Sequence, residues 1–397
     1  MTSHHGSSAG AGSTSGTADD RLADGIVGSR SIDLMRREIA TIPRVIADQA
    51  VRLRPILREL AEEIGPTLEE VVLTGCGDSH FAGLATRLAF ERVARIRCRA
   101  TEALELARYE SRYIARTPAP LLIAVSYSGE VGRTIDAAAT GTEFGWRTVA
   151  LTGRLEGRLA EVVDRSIVMD VPTLGSSPGT NTYVAMVTAL LVFAIELARV
   201  RGHHEEAEVL EVELERVPAL ATTTLAEAEE PARRAAELIA SSPVSTFLGA
   251  GPSRAAAAFG AAKLFEGPQR YGVAQDLEEW AHEQYFVSGP ATPVVVIAPT
   301  GASLDRAIEL LGEMAFIGVP SVAISDSNIV ANAATLHLPI AHIVDEAVSP
   351  LLTCLPLAQI GSFVAEILGT TSYGFRSAEH EREHYATIHR ATRRDPA

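Results

Sequence analysis

The stretch Ala124 to Thr134, AVSYSGEVGRT, carries an apolar run into two serines and a glycine, and a helical pattern follows at once. Leu121 to Val125 are apolar, Ser126-Tyr127-Ser128-Gly129 interrupt them, and Val131 to Ala138 repeat at helical spacing. A buried strand that ends in hydroxyls at a helix start is suited to holding an anion. The first-turn amides there are unpaired, the dipole end is positive, and short hydroxyls add donors without bulk. A helix cap needs one hydroxyl; here two flank Tyr127. All but one of the 35 basic residues are arginine, so amides, hydroxyls and arginine must hold the anion.

The single lysine, Lys263, stands three residues before Glu266, a spacing that ordinarily makes an ion pair on one helix face. A carboxylate whose burial raises its pKa toward neutrality can also carry a proton between neighbouring carbons, and Lys263 would then orient it. His282 follows Trp280 and precedes Glu283; it reads as a hydrogen-bonded helix histidine or as a proton carrier working near neutral pH. In the tail, His380 and His384 stand at i,i+4, a spacing that can bind metal, but the run Glu379 to His384 reads as a solvated charged helix, and no metal is expected. Cys76, Cys98 and Cys354 form no ligand or redox spacing.

These residues hang on a repeated element order. Residues 1–30 are small and polar and are expected to be a disordered leader. Residues 31–65 read as one or two amphipathic helices. A first unit, 66–202, predicts strands at Val71–Gly77, Leu121–Gly129, Arg147–Gly153 and Ser166–Pro172, interleaved with helices and closed by a long apolar helix from Tyr183 to about Val200. An acidic helical connector spans 203–240. A second unit, 241–368, repeats the order with strands at Ser245–Gly251, Pro293–Gly301, Pro320–Asp326 and Ala334–Ile340, and 369–397 form a tail. Short β-branched runs alternating with helices predict two α/β domains, each a parallel sheet covered on both faces. In such sheets ligands sit beyond the carboxyl ends of the strands, where Gly75–Ser79 and Ser126–Ser128 fall. The corresponding loop of unit two, Pro299-Thr300-Gly301, has one hydroxyl, so unit one is expected to carry the anion.

Composition limits the classes of function. A net charge of −15 argues against sequence-independent nucleic-acid binding, which needs many basic contacts to phosphate. The N-terminus lacks the charged-then-apolar pattern of a secretory signal, and no uninterrupted apolar run approaches 18 residues. A cytoplasmic location, with no membrane partner and no cofactor, is the resulting expectation.

The motifs resemble the sugar isomerase (SIS) domain family, and the two-unit order is similar to the isomerase half of glucosamine-6-phosphate synthase and to related amino-sugar-phosphate deaminases and ketose isomerases. The likeness covers about residues 30 to 380. The family's C-G-[TS]-S appears as Cys76-Gly77-Asp78-Ser79, its S-x-S-G-E-T-x-x-T as Ser126 to Thr134, and its K-L-K-E as Lys263 to Glu266. Its histidine sixteen positions further on falls on His282. The resemblance implies two tandem flavodoxin-like three-layer sandwiches and a cofactor-independent isomerase of a phosphorylated or otherwise anionic sugar, with deamination of an amino sugar as an extension. A fructosamine-phosphate deglycase and a silent sugar-phosphate sensor are the other readings it leaves open. It implies substrate contacts from Gly77, Asp78, Ser79, Ser126, Tyr127, Ser128, Arg133, Thr134, Thr180 and Arg376. Glu266 would move the proton, His282 would assist ring opening, and Lys263 and His380 would complete the catalytic set. A homodimer with its active site at the subunit interface is implied, because the family's histidine reaches across. No glutaminase domain is expected before the first unit. Three departures stand out: Val131 replaces a phosphate-binding threonine, Asp78 replaces a common threonine, and His380 falls where the synthase has its Schiff-base lysine.

Overall fold

Runs of Val, Ile, Leu and Ala too short for helices form the strands, and longer Ala- and Leu-rich stretches form the helices that cover them. The computed structural model describes residues 32–110, 119–343 and 345–392. The leader expected over 1–30 lies outside these. Helix α1 (Ile32–Ile64) is continuous through Pro43 and Pro55. Unit one then runs β1 (Glu70–Gly75), α2 (Asp78–Arg92), β2 (Arg97–Glu102), β3 (Leu121–Ser126), α3 (Gly132–Glu143), β4 (Arg147–Thr152), β5 (Arg165–Val168) and α4 (Asn181–Val200). Helix α5 (His204–Ala240) leads into unit two. This comprises β6 (Val244–Gly249), α6 (Pro252–Glu266), β7 (Tyr271–Asp276), α7 (Leu277–His282), β8 (Val294–Ile297), α8 (Leu304–Phe316), β9 (Ser321–Ser325), α9 (Asn328–Ala333), β10 (Leu336–Pro339) and α10 (Pro350–Leu368). The tail carries a short helix, α11 (Ala378–Glu383).

The strands form two five-stranded parallel sheets, ordered β2-β1-β3-β4-β5 and β10-β9-β8-β6-β7. Counted from each unit's first strand, both follow the order 2-1-3-4-5. The two α/β units expected from the sequence are therefore present, but each sheet has one strand more than the apolar runs indicated. The additional strands, β2 (RCRATE) and β7 (YGVAQD), are edges whose side chains are partly exposed, so they lack the uninterrupted apolar signature of a central strand.

The units join through helices. The first turn of α2 meets the last turn of α6, and α4 and α10 run through the interior, where Tyr183 stacks on Phe259 at a ring distance of 4.5 Å. Helix α4 and the segment Glu346–Leu368 are long and apolar enough to cross a membrane, although no unbroken apolar run had suggested one. Most of each is buried inside the fold, 89% and 83% of the apolar window respectively, which accounts for the composition.

Candidate active site between the two units

In a 2-1-3-4-5 sheet the strand order reverses between the first and third strands, and the loops leaving them flank a crevice. In unit one these are the loops after β1 and β3. Gly77 makes the first turn possible: its φ of 55° and ψ of −129° lie where residues with a Cβ rarely go. That turn delivers Asp78 and Ser79 into the first turn of α2. The second loop leaves β3 at Ser126, which is 1% exposed and whose hydroxyl has no hydrogen-bond partner among the described residues. The Ser128 hydroxyl accepts the Glu130 backbone N–H at 3.3 Å. The loops touch where the Thr134 hydroxyl donates to Cys76 Sγ at 3.7 Å, and the Ser79 hydroxyl turns to Met186 Sδ on α4 at 3.4 Å. Tyr127 points away, donating to the Val171 carbonyl at 2.9 Å.

Unit two contributes the other half. Lys263, fully buried near the end of α6, donates to Asp78 Oδ2 (2.8 Å), Glu266 Oε2 (2.6 Å) and the Gly179 carbonyl (2.9 Å). An ammonium has three N–H donors, and all three are engaged. Its Nζ also lies 4.8 Å from the Phe259 ring centroid. Burial by itself pulls the lysine pKa down, but Asp78 and Glu266 outweigh it and the net shift is upward, so Lys263 is a fixed cation. The helix ends favour this arrangement, because Asp78 sits at the positive end of α2 and Lys263 at the negative end of α6.

Glu266 differs. Burial pushes its carboxyl up to about 7; Lys263 opposes the rise and Asp78 adds to it. The side chain nonetheless keeps 28% of its surface exposed. It is a carboxyl that exchanges its proton near neutrality and can be reached. The Asp78 departure also gains a reason: with an ammonium buried opposite it, a carboxylate supplies charge that a threonine could not. Asp78 Oδ1 and the Thr180 hydroxyl are buried without partners among the described residues, and Thr180 directly follows the Gly179 carbonyl that Lys263 binds.

Two contributors were not visible in the sequence. The Gly179 carbonyl is a backbone group with no side-chain signature. Tyr373 donates its backbone N–H to the Glu266 carbonyl (2.7 Å) and its hydroxyl to the Ser177 carbonyl (3.0 Å), tying the tail to both units. Its φ of 53° is unusual for a residue with a side chain.

The remaining candidates lie apart. The side chain of His282, on α7, is 66% exposed and its Nε2 pairs with Glu278 at 3.1 Å rather than with Glu266. His380 and Arg376 are exposed, and the His380 ring accepts the Arg376 backbone N–H at 3.1 Å. His380 and His384 pack on the Phe375 ring at 5.4 and 5.3 Å. Among the described residues no group of three or more metal-ligating side chains occurs.

Unit two repeats the first loop closely, with Gly251 at φ 53° and ψ −130°. Its second loop has Ala298 where unit one has Ser126. The Glu346 carboxylate has moved in: it accepts the Ala302 N–H at 3.1 Å and packs so closely on Gly301 that a Cβ there would collide with it. Unit two thus carries an internal carboxylate at the loop position where unit one keeps its serines.

Residues 69–196, the β1–α4 unit, match the family described as SIS domain. The match covers the first α/β unit of the chain. A glutamine–fructose-6-phosphate aminotransferase [isomerizing] from Thermococcus kodakarensis is 29% identical over 338 residues, covering 84% of this chain and 55% of the relative. A protein of the same name from Pseudomonas syringae is 29% identical over 320 residues, covering 78% and 51%. The chain therefore spans about half the length of these relatives. In fold, the C-terminal domain of glucosamine-fructose-6-phosphate aminotransferase from Francisella tularensis aligns with a TM-score of 0.76 at 19% identity, over 85% of this chain and 97% of that one. Tagatose-6-phosphate ketose/aldose isomerase from Escherichia coli aligns with a TM-score of 0.67 at 20% identity, over 84% and 92%. The second α/β unit, which the family match does not cover, is shared with these structures, so the chain has their two-unit fold.

Proposed function

We propose that this chain interconverts the aldose and ketose forms of a phosphorylated sugar or amino sugar. The observation that carries the reading is Glu266, a reachable carboxyl titrating near neutrality and fixed by a buried ammonium that also holds Asp78, beside Ser79 at the start of α2. In the opened sugar, ionised Glu266 removes the proton from the carbon next to the carbonyl, leaving an enediolate. The carboxyl then returns that proton to the neighbouring carbon while the hydroxyl proton passes between the two oxygens, so nothing is gained or lost. Lys263 takes part as a positioning residue, because none of its N–H groups is left for substrate. Ser79, Ser126, Ser128 and the first-turn amides of α3 would bind the anion, and the orphaned hydroxyls of Ser126 and Thr180 would find partners on a bound sugar.

Histidine forms no stable imine with a ketose, so His380 supports isomerisation rather than synthase chemistry; loss of ammonia from an amino sugar remains within the proposed class. For His282 to open the ring it must come from a second copy. Phe286 and Val287, 78% and 76% exposed beside α7, offer apolar surface for such a dimer.

The test is a thermal-shift panel of hexose and hexosamine 6-phosphates with their unphosphorylated parents, followed by NMR in D₂O of any sugar that stabilises. A bound substrate raises the melting temperature. Exchange of its C2 proton, abolished in Glu266→Gln while stabilisation persists, is the expected result. Stabilisation without exchange would overturn the enzyme reading in favour of a sensor.

A further inference from the structure

The tail beyond α11 closes onto the anion loop of unit one. Arg133, in the first turn of α3, donates to the Ala391 carbonyl. Arg158, in the loop after β4, donates to the Arg390 carbonyl at 2.7 Å and to the Thr392 hydroxyl at 3.4 Å. Arg390 in turn pairs with Glu130 at 3.4 Å, and Thr392 is 9% exposed. The approach is so close that a Cβ on Gly132, the first residue of α3, would collide with the Ala391 carbonyl oxygen. Two guanidiniums beside the anion loop therefore both donate to backbone carbonyls of the tail.

Resting on the proposed phosphate-binding role of this loop, we propose that Arg158 and Arg133 form the outer half of the anion site, held by the carbonyls of Arg390 and Ala391 until a phosphate group displaces them. Two considerations carry this. A guanidinium binds a phosphate through charge-assisted, often bidentate bonds, about twice as strong as those to a neutral carbonyl. Val131 has removed one hydroxyl donor from the loop, and two arginines replace it with more reach and more charge. Arg133 remains oriented in either state through Asp136, its 3.0 Å partner. Because the tail must leave, the apparent affinity for anion is the intrinsic affinity multiplied by the fraction of molecules with the tail displaced. The substrate selected is one carrying a compact dianion at the end of its chain.

The test uses the full chain, inorganic phosphate as probe and titration calorimetry. Arg390→Glu breaks the ion pair with Glu130 and sets a like charge beside it, so it loosens the tail without shortening the protein or altering the anion loop. It should bind phosphate roughly tenfold more tightly than the wild type. Adding Arg158→Gln in that background should weaken binding roughly tenfold, with partial recovery in Arg158→Lys. As a measurement independent of any variant's folding, phosphate added to the wild type should speed trypsin cleavage after Arg390. If phosphate binds but all three responses are absent, the arginine pair and its stopper are refuted while the loop reading survives. If no folded form binds phosphate at all, both fall together.

Discussion

Replacing Asp78 by Asn isolates the electrostatics of the candidate site. The change keeps the shape and removes one of two negative charges facing Lys263. Asp78 Oδ2 and Glu266 Oε2 lie 2.8 and 2.6 Å from the same ammonium nitrogen, so they are at most 5.4 Å apart. At an effective dielectric constant near 20, two unit charges at about 5 Å repel by about 3 kcal/mol, or about 2 pH units. Glu266 keeps 28% of its surface in contact with solvent, which screens part of this. The Glu266 midpoint should therefore fall from about 7 by about 1 to 2 pH units in Asp78→Asn. The direction follows from Asp78 favouring the neutral form of its neighbour, with Lys263 now answering Glu266 alone. Carbon-13 NMR of protein labelled at the glutamate carboxyls reads the midpoint directly, and Glu266→Gln identifies the resonance. A wild-type midpoint in the ordinary carboxylate range, or one that stays put in Asp78→Asn, would refute the electrostatic reading. An active enzyme should show the same shift in the acid limb of its rate profile.

Other expectations concern stability. With the Glu266 carboxyl raised from 4.5 to about 7, the folded chain holds a proton that the unfolded chain releases, so this group's stabilising contribution should decline as pH rises through that window and level off above it. Urea denaturation from pH 5 to 8 should show this slope, and Glu266→Gln should flatten it. Lys263→Met leaves two carboxylates facing each other in the interior and should cost about 3–5 kcal/mol near neutral pH, less at pH 5, in the same assay. Glu346→Ala removes the internal carboxylate from the unit two loop and should cost about 1 kcal/mol. Sulfate should then raise the melting temperature of that variant more than that of the wild type; an equal response would mean that the loop holds no anion once Glu346 is gone.

What the sequence determined by itself was local. Short apolar runs such as Leu121–Val125 and Val294–Ile297 have no stable alternative to buried parallel strands, and they announced two sheets in repeated order. The edges β2 and β7 escaped because a strand paired on one side and partly exposed on both faces needs no apolar signature. Ser126, Ser128 and Gly77 were legible because a tight turn, a helix start and a cluster of small donors leave marks on consecutive residues. The Lys263–Glu266 pair was visible as a spacing, and its ordinary meaning would have been an exposed ion pair. Only the tertiary structure made it a site. Packing the start of α2 on the end of α6 brings together residues 185 positions apart and takes both Lys263 and Glu266 out of water, and the burial of Glu266 raises its carboxyl against the pull of Lys263. The same holds for the Gly179 carbonyl, for Glu346 at the silent loop and for the tail on Arg133 and Arg158. A backbone oxygen has no residue type to read, and desolvation belongs to the assembled fold rather than to any segment of it.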